Sequence, residues 1–368
     1  MNGPTSQPRI SYIFPTRNRA DRVRQTLDAL GALPRHRAEL VIADNASDEP
    51  VRAPAALANG VPVTVLRMER NEGAAARNAA AGASDPASEW LVMLDDDSHP
   101  TDLGLLEALA SQRPEVVAVS ADIRLPRMER RESGGLPEVF IGCGVAIRRD
   151  AFLYTGGYDP SFGYYAEEYD LAARFLLAGG RVAFDPRFRV DHHKVEAGRD
   201  MDLILGRLVR NNGWVIQRYA PDADRRGLQR ENRRRYRAIA GKEKAIRGYG
   251  KGLVELRRTV LRQVRSPMPR EVFDRFTGLS AARAGIAAAM RDAPFDRAAS
   301  VCEGKNAWAV RRALAEAGVR EDVDAPVVVV GTMSSGPMLD AWGKAPGRRV
   351  VLPWVVAQEM VGASVCAA

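Results

Sequence analysis

Short apolar runs alternate with amphipathic segments along the first half of the chain. Residues 21–30 and the Ala-rich residues 73–82 have helical periodicity. The β-rich runs around them are residues 10–15 (ISYIFP), 39–43 (ELVIA), 61–68 (VPVTVLRM) and 90–94 (WLVML). A strand followed by a helix, repeated in this way, predicts a mostly parallel sheet with helices on both faces.

Polar clusters follow each of these apolar runs, at residues 16–19, 44–47, 71–73 and 95–98. In open α/β sheets the ligand binds at the carboxyl ends of the strands. The pattern therefore predicts that these four clusters meet at one edge of the sheet and form a ligand site there.

The strand and helix pattern continues to about residue 190 and then changes. Further strands are predicted over residues 116–120, 139–147, 182–184 and 188–190, with a helix over about 168–177 that ends at two glycines. Helical periodicity dominates after residue 200 and is interrupted at residues 266–269 (SPMP). A last strand, helix and strand are predicted over residues 327–330, 338–342 and 350–352. The expected organisation is an α/β domain over residues 1–200, a basic, mainly helical region over 201–310 and a small α/β tail segment over 311–368.

Composition narrows the class of protein. The 368 residues are 46% hydrophobic and 27% charged, which is ordinary for a globular protein and excludes a disordered, collagen-like or disulfide-scaffold chain. Cys143, Cys302 and Cys366 lie far apart without a C-x-x-C pair, so neither a disulfide framework nor a thiolate zinc site is expected. No window reads as a secretion signal or a membrane span. We therefore expect a reduced, cytoplasmic protein.

The positive charge is concentrated in one stretch of the chain. The net charge is +8, but residues 225–265 alone contain fifteen Lys and Arg against three Glu, a local charge of +12. The apolar residues of this stretch predict an amphipathic helix with a basic face. These apolar residues are Leu253, Leu256, Val260, Leu261 and Val264. This stretch is either a solvated face paired with acidic surface elsewhere, a docking surface for an anionic membrane at the inner face, or a cradle for a phosphorylated acceptor. Nucleic acid is not expected, because no recognised binding motif accompanies the charge.

Three consecutive aspartates, Asp95, Asp96 and Asp97, follow the apolar run at residues 90–94. Like charges this close repel and raise one another's pKa, and a divalent cation relieves the repulsion. Hard oxygen ligands favour Mg²⁺ or Mn²⁺, with phosphate oxygens and water filling the other positions. The alternative is a solvated acidic turn or the cap of a following helix.

A second acidic cluster consists of Glu167, Glu168 and Asp170, at the expected start of a helix. Acidic residues in a first helical turn are favoured by the helix dipole alone. The glycines and aromatics at residues 156–165 just before them indicate a cleft, in which one of these carboxylates can act as a base. Tyr158 and Tyr165 are candidate acceptor contacts, although such aromatics can equally pack in the core.

Read together, six motifs resemble the successive signatures of family-2 glycosyltransferases with the GT-A fold. They are FPTRNRADRVRQTLDAL, VIADNASDEP, RNEGAAARNAAAGAS, WLVMLDDDSHP, IRRDAFLYTGGYDPSFGYYAEEYDLAARFLLAGGRVAFDP and VDHH. They cover roughly residues 8–195 in the order and spacing of that family. The resemblance implies that residues 1–200 are a GT-A nucleotide-sugar-binding catalytic domain, with a single mixed, mostly parallel sheet flanked by helices. The region after residue 200 is expected to be a mainly helical extension.

The resemblance also implies an activity, an inverting single displacement that moves a sugar from a nucleotide diphosphate to an acceptor hydroxyl. UDP is the family's commonest donor nucleotide, and the acceptor is a glycan, a lipid-linked sugar or a natural product. The implied donor contacts are Pro15, Thr16, Arg19, Asp44, Asn45, Asn71, Gly73, Arg77, Asp95 and Asp96. The implied ligands of Mg²⁺ or Mn²⁺ are Asp97, Asp95 and His192, with His193 as the alternative.

The general base implied by the resemblance departs from the usual residue. The family pattern Glu-Asp-x-Asp-Leu corresponds here to Glu167, Glu168, Tyr169, Asp170 and Leu171. The base position therefore carries Glu168, one methylene longer than the usual aspartate, and Glu167 is the second candidate. Asp170 is expected to contact the acceptor.

Two other functions compete with this interpretation. A sugar-nucleotide nucleotidyltransferase also ends a strand with aspartates, but it requires a Gly-rich phosphate loop where this chain has FPTRNRAD. A basic peripheral-membrane or polyanion-binding module built on a degenerate transferase fold would account for the charge of residues 225–265. Nucleotide release from sugar nucleotides, scanned with Mg²⁺ or Mn²⁺, separates a transferase from the binding module.

Overall fold

The computed structural model describes residues 7–194, 200–342 and 347–354. Cys366 and the rest of the expected tail segment after residue 354 lie outside the described residues. None of the helices in the described parts of the chain has the length and apolar character that crossing a bilayer requires.

The main sheet contains nine strands of the described chain. They are β1 (Ile10–Thr16), β2 (Ala38–Asp44), β3 (Val63–Arg67), β4 (Trp90–Met93), β5 (Ser98–Pro100), β6 (Val116–Leu125), β7 (Arg130–Arg131), β8 (Val145–Arg148) and β9 (Arg181–His192). Their order is β3-β2-β1-β4-β8-β6-β9-β5, and β7 pairs with β6. Strands β3, β2, β1 and β4 are parallel, as are β6 and β9, whereas β8 is antiparallel to β4 and β6. The mixed α/β sheet expected from the sequence is confirmed.

Helices cover this sheet and build the region after it. They are α1 (Ala20–Ala32), α2 (Ala76–Ala83), α3 (Gly104–Ala110), α4 (Arg149–Tyr154), α5 (Glu167–Leu177), α6 (Met201–Tyr219), α7 (Asp222–Lys242), α8 (Ile246–Thr259), α9 (Arg270–Thr277), α10 (Leu279–Asp292), α11 (Ala307–Glu316) and α12 (Ser335–Ala341). A second sheet consists of β10 (Arg297–Val301), β11 (Arg320–Glu321), β12 (Val327–Val330) and β13 (Arg349–Val351), all parallel in the order β11-β10-β12-β13.

The apolar runs form central strands because both of their faces are covered. Every residue of β1 is buried. Its side chains alternate between two cores, so that Ile13 packs on one face of the sheet and Tyr12 on the other. A strand buried on both faces needs a nearly continuous apolar sequence, which is the pattern seen at β1, β2 and β4.

Helix α6 connects the helical region to the half of the molecule that contains the main sheet. It crosses α8 at very short range, since a Cβ atom added to Gly252 would lie 2.1 Å from the carbonyl oxygen of Gly206. On its other side, the fully buried amide of Asn211 donates hydrogen bonds to the carbonyls of Phe162, Tyr164 and Tyr165, at 3.1, 3.0 and 2.7 Å. The loop that leads into α5 is therefore held by a helix that lies outside the resemblance.

The second sheet also packs against the half that contains the main sheet. The backbone N–H of Gly134 donates to Ser334 Oγ at 3.1 Å, and Arg131 Nη1 lies 2.9 Å from Asp340 Oδ1. Ser334 follows β12 and Asp340 lies in α12. The carboxyl end of this sheet is thus turned towards the loop that follows β7.

Several sequence predictions need correction at the level of single elements. Residues 139–147 were expected to be one strand, but only Val145–Arg148 is extended in the sheet. Residues 139–144 instead form a turn at the site, where a Cβ atom on Gly144 would lie 2.7 Å from Ile123 Cγ1. The two strands expected over residues 182–190 are one strand, β9. The second sheet begins at β10, inside the stretch expected to be mainly helical.

The predicted amphipathic helix in the basic stretch is correct only in part. Helix α8 ends at Thr259 and is followed by a single 3₁₀ turn. Leu256 is buried against the core, whereas Leu261 and Val264 are 85% and 80% exposed. The apolar face expected to continue to residue 264 therefore stops near Val260, and the last two apolar side chains lie in solvent.

Candidate functional site

A cleft of about 850 Å³ lies at the carboxyl end of the main sheet. The strands β1 and β4 end at its floor, the turn before β8 forms one wall, and the start of α5 forms the other. Its charged lining residues are Arg19, Arg22, Arg77, Asp95, Asp97, Glu132, Glu167, Glu168, His192, Lys194 and Lys305. Most of the predicted catalytic and metal-binding residues are therefore brought together in one place.

The three aspartates after β4 have different environments. Asp95 faces the cleft with 38% of its side chain exposed and pairs with the buried Arg77. Asp96 points into the floor, where it accepts a hydrogen bond from Thr16 Oγ1 at 2.7 Å and pairs with Arg19. Burial raises the pKa of Asp96 to about 7 despite the neighbouring Arg19. Asp96 therefore anchors the loop after β1, and Asp95 and Asp97 are the two that line the cleft.

Asp97 lies between a cation and an imidazole. Arg19 Nη2 donates to Asp97 Oδ2 at 2.7 Å, and His192 Nε2 lies 3.3 Å from Asp97 Oδ1. Burial alone would raise the pKa of Asp97, but His192 and Arg19 outweigh it and hold that pKa below its usual range. His192 reaches this position because the antiparallel pair of β5 and β9 places its residue opposite Ser98.

The other nitrogen of His192 is oriented by a residue that the sequence analysis did not single out. His192 Nδ1 lies 3.1 Å from Glu132 Oε2, and Lys194 Nζ contacts the same carboxylate at 3.0 and 3.1 Å. Burial by itself raises the pKa of Glu132, but these two cations outweigh it and lower the pKa to about 2. An ionised Glu132 on one nitrogen leaves the other nitrogen directed at Asp97.

The arrangement fits a divalent cation. Two ligands at about 2.1 Å and at right angles on one ion are roughly 3 Å apart, and the 3.3 Å between His192 Nε2 and Asp97 Oδ1 is close to that spacing. A second geometric grouping joins ligand atoms of Asp95, Cys143 and His192 within 4.8 Å of one another. The Cys143 thiol is buried and its pKa is raised by that burial, so it is a poor ligand for a hard cation. Carboxylate oxygens with one imidazole suit Mn²⁺ better than the thiol set does.

The two glutamates at the start of α5 form the opposite wall. Glu168 Oε1 accepts a long hydrogen bond from the backbone N–H of Gly142 at 3.4 Å. Glu167 is buried, and its Oε2 has no hydrogen-bond partner among the described residues. Burial raises the pKa of both side chains, and the neighbouring charge of Glu168 raises the pKa of Glu167 further, against the opposing charge of Arg77. A half-buried carboxylate with a raised pKa is suited to accept a proton near neutral pH.

The segment around residues 71–77 supports the cleft from beneath. Arg77 is buried, donates to the Leu94 carbonyl at 2.7 Å and pairs with Asp95. Gly73 has φ of +63°, and a Cβ atom there would lie 2.5 Å from the carbonyl oxygen of Gly163. Asn71 Oδ1 accepts from the Gly73 N–H at 2.9 Å and so holds this turn. Only Arg77 of these residues lines the cleft itself.

Asp44 and Asn45 shape a neighbouring loop. Asp44 is buried and accepts hydrogen bonds from the backbone of Ser47 and Val51, both at 3.0 Å, and from Arg67 at 2.6 Å. These contacts outweigh burial and lower the pKa of Asp44. Asn45 Nδ2 donates a hydrogen bond to the Gly73 carbonyl oxygen at 3.0 Å. The loop borders a second cleft of about 1110 Å³, which shares Arg19 and Arg22 with the first.

Of the predicted acceptor contacts, only Tyr165 lines the cleft. Tyr158 is 1% exposed and packs against Phe152. Asp170 is fully buried and contacts Arg174, Arg218 and Tyr219, the last at 2.6 Å from its hydroxyl. In the structure, Asp170 ties α5 to α6, and Pro15 is likewise buried within β1.

The sequence analysis did not identify Glu132, Lys194 or Lys305 as site residues. Lys194 could have been suspected from its place beside the His192 and His193 pair. Glu132 lies in an ordinary charged run (RMERRES), and Lys305 comes from the second sheet, more than a hundred residues beyond the motifs. Nothing in their local sequence distinguishes these two.

Parts of this chain are similar in sequence to known proteins. Residues 11–152 match the family described as Glycosyl transferase family 2. The O-antigen biosynthesis protein RfbC of Myxococcus xanthus is 27% identical over 235 residues, which are 54% of this chain and 18% of that protein. The uncharacterized glycosyltransferase YwdF of Bacillus subtilis is 26% identical over 173 residues, which are 46% of this chain and 59% of that protein. The chain thus spans less than two thirds of either relative.

A solved structure also resembles this chain. The mannosyltransferase PcManGT from Pyrobaculum calidifontis, determined in complex with GDP-Man and Mn²⁺, aligns with a TM-score of 0.46 at 19% sequence identity. The alignment covers 85% of this chain and 87% of that one.

Proposed function

We propose that this chain, whose residues 11–152 belong to glycosyl transferase family 2 as its motifs predicted, is an inverting, metal-dependent glycosyltransferase. It moves a sugar from a nucleotide diphosphate donor, UDP being the first candidate, to an acceptor hydroxyl. The observation that carries the proposal is the arrangement of one cleft, with Asp95, Asp97 and His192 on one side and Glu168 on the other.

The donor side has the charges that a diphosphate requires. Asp97 and His192 would hold Mg²⁺ or Mn²⁺, and a cation bound there would supply positive charge to the departing diphosphate. Arg19 lines the cleft beside Asp97, so its guanidinium is available to a phosphate oxygen. The loop after β2 borders the adjoining cleft and is the proposed place for the base and ribose.

The acceptor side provides the proton acceptor. Glu168 takes the proton of the acceptor hydroxyl while its oxygen attacks the anomeric carbon from the face opposite the diphosphate. The bond from the anomeric carbon to the phosphate oxygen breaks, and the nucleoside diphosphate leaves with the electron pair. A single displacement requires only one carboxylate on the attacking side and positive charge on the leaving side. No covalent enzyme intermediate is formed.

A donor screen tests this proposal. The protein is incubated with single sugar nucleotides in the presence of Mn²⁺, Mg²⁺ or EDTA, and release of nucleoside diphosphate is followed by mass spectrometry. We expect release from one or a few donors, lost with EDTA, and metal-dependent binding of the same nucleoside diphosphate in calorimetry. Absence of both release and binding for every donor would reject a transferase and favour a binding module.

A second proposal concerns the basic stretch, residues 225–265. Arg225, Arg226, Arg230, Arg233 and Arg257 surround a groove of about 430 Å³ between α7 and α8, which we call the basic groove. Within the described ranges, Arg226, Arg230 and Arg257 make no ion pair with a carboxylate. Of the three possibilities that the sequence left open, we propose that this face contacts an anionic membrane surface, with the exposed Leu261 and Val264 entering the interface.

Vesicle co-sedimentation tests the membrane contact. Each basic residue near an anionic surface contributes about 1 kcal/mol, so binding to vesicles containing phosphatidylglycerol should exceed binding to pure phosphatidylcholine and fall with added salt. The double variant Arg226→Gln, Arg230→Gln should weaken binding roughly tenfold or more. The matched variant Arg291→Gln, Arg311→Gln on α10 and α11 should not. Equal binding to both vesicle types would contradict the proposal.

A further inference from the structure

One cation in the cleft comes from the far end of the sequence. Lys305 follows β10 of the second sheet, yet it lines the same cleft as Glu168. Its backbone is fixed there, because the Met333 N–H donates to the Lys305 carbonyl at 2.9 Å and Asn306 Nδ2 donates to the Thr277 carbonyl at 2.8 Å. The second sheet therefore contributes a charged group to the acceptor side of the cleft.

The ammonium group of Lys305 forms no ion pair with a carboxylate of the described residues. Its Nζ lies 4.6 Å from the centre of the Tyr169 ring, and no hydrogen bond or ion pair joins it to another residue in the described part of the chain. Burial lowers the pKa of Lys305 to about 8, with Arg235 adding to the effect and with Tyr236 and Glu168 opposing it. The group is thus largely protonated near neutral pH. A half-buried, unpaired cation on a cleft wall is costly unless a ligand supplies a negative charge.

A smaller cavity of about 210 Å³ adjoins the cleft at Lys305. The two share Ala166, Tyr169, Leu208 and Lys305. The remaining walls are mainly apolar and aromatic, with Leu228, Tyr236, Phe273, Phe276 and Trp308 among them. Because an apolar cavity of roughly 150 Å³ already binds benzene, this one has room for a single substituted ring.

We propose that the acceptor is amphipathic, with a carboxylate or phosphate bound by Lys305 and one apolar ring held in the 210 Å³ cavity behind it. This proposal rests on the transferase function above and specifies its acceptor. A ligand held in this way has its polar end on the cleft side of Tyr169, where Glu168 can reach an adjacent hydroxyl.

The proposal accounts for features that the donor chemistry does not need. The residues that line both the cleft and the cavity come from separate parts of the chain, because Tyr169 lies in α5, Leu208 in α6 and Lys305 after β10. A nucleotide diphosphate on Asp97 and Arg19 occupies the other side of the cleft. Lys305 is accordingly a binding residue for the acceptor, and Tyr169 supports it by a cation–π contact.

Three small probes test the acceptor site in the full chain. They are 3-phenylpropionate, phenyl phosphate and the neutral 3-phenylpropan-1-ol, and binding is measured by ligand-observed NMR with UDP and Mn²⁺ present. We expect at least one of the two anions to bind about tenfold or more tightly than the alcohol, as a charged hydrogen bond would give. The anion that binds more tightly identifies the acceptor group as carboxylate or phosphate.

Three variants distinguish the contribution of the Lys305 charge from that of the cavity. Lys305→Met should weaken the binding of the two anions about tenfold or more, and that of the alcohol by less than about twofold. Lys305→Arg should restore part of the lost affinity for the anions. Leu228→Trp, which fills the cavity from α7, should weaken the binding of all three probes. Unchanged anion binding in Lys305→Met, or failure of all probes to bind, would overturn the proposal.

Nucleotide binding by the same samples keeps the two proposals apart. UDP titrated with Mn²⁺ should bind the wild type, Lys305→Met and Leu228→Trp alike, which also shows that the variants are folded. If UDP binds and the ring anions do not, the acceptor proposal fails and the transferase proposal stands. If no nucleoside diphosphate binds the wild type, the transferase function itself fails.

Discussion

The Glu168→Gln enzyme is expected to lose about 10²–10⁴ in kcat, while its affinity for the donor nucleotide is unchanged. Gln keeps the shape of the side chain and can still contact the Gly142 N–H, which lies 3.4 Å from Glu168 Oε1. It cannot accept the acceptor's proton. Steady-state transfer and calorimetric nucleotide binding, measured on one preparation, separate these two effects. Near-normal kcat in this variant would reject Glu168 as the base.

Glu167→Gln is the matched control for the base. Glu167 is buried, and its raised pKa favours the protonated form, which Gln imitates. We expect a loss in kcat of less than about tenfold, well below the range for a missing base. If instead Glu167→Gln abolishes transfer and Glu168→Gln does not, the roles of the two residues are reversed.

The pH profile gives an independent check on the same residue. Burial raises the pKa of Glu168, and the active form of a base is the deprotonated one. The kcat/KM of the wild type should therefore fall as the pH is lowered, with its midpoint above the ordinary range of a glutamate. That acidic limb should be missing from the residual activity of Glu168→Gln.

Asp97→Asn is expected to show the other large effect, a loss of roughly 10²–10³ in transfer together with loss of metal-dependent nucleotide binding. Asp97 is the carboxylate that both Arg19 and His192 contact, at 2.7 and 3.3 Å. The amide removes the negative charge that would hold the cation, and it leaves Arg19 paired with Asp96 alone and His192 paired with Glu132 alone. Titration of Mn²⁺ by calorimetry or electron paramagnetic resonance, with and without UDP, measures the loss directly.

The control for Asp97 is Asp292→Asn at the end of α10, where the side chain is 85% exposed. It changes the net charge equally and should leave metal and nucleotide binding as in the wild type. Circular dichroism and thermal unfolding check that Asp97→Asn remains folded. Metal-dependent turnover at the wild-type rate in folded Asp97→Asn would show that the cation is held elsewhere, with the Asp95, Cys143 and His192 group as the next candidate.

Prediction from the sequence was most successful where the signal was local. The strands β1, β2 and β4 were predicted within a residue or two, because strands covered on both faces need continuous apolar runs. It failed at residues 139–144, where an equally apolar run (VFIGCG) forms the turn that lines the cleft. Composition alone cannot distinguish a buried strand from a buried turn.

The acidic cluster of α5 illustrates the same limit within a single helix. Successive residues in a helix are about 100° apart, so Glu168 and Asp170 point to nearly opposite sides. Glu168 faces the cleft, and Asp170 faces Arg218 and Tyr219 of α6. The motif located the cluster, but the partner helix decides which carboxylate is free to react.

The sequence by itself determined the α/β sheet, the match of residues 11–152 to the model of glycosyl transferase family 2 and the placement of Asp95, Asp97 and Glu168 at strand and helix ends, because all of these depend on neighbours close along the chain. Only the tertiary structure decided that Asp96 and Asp170 are structural, that Glu132 orients His192, and that Lys305 enters the cleft. Those roles arise from contacts between segments far apart in sequence, where packing and charge, rather than local periodicity, determine what each side chain meets.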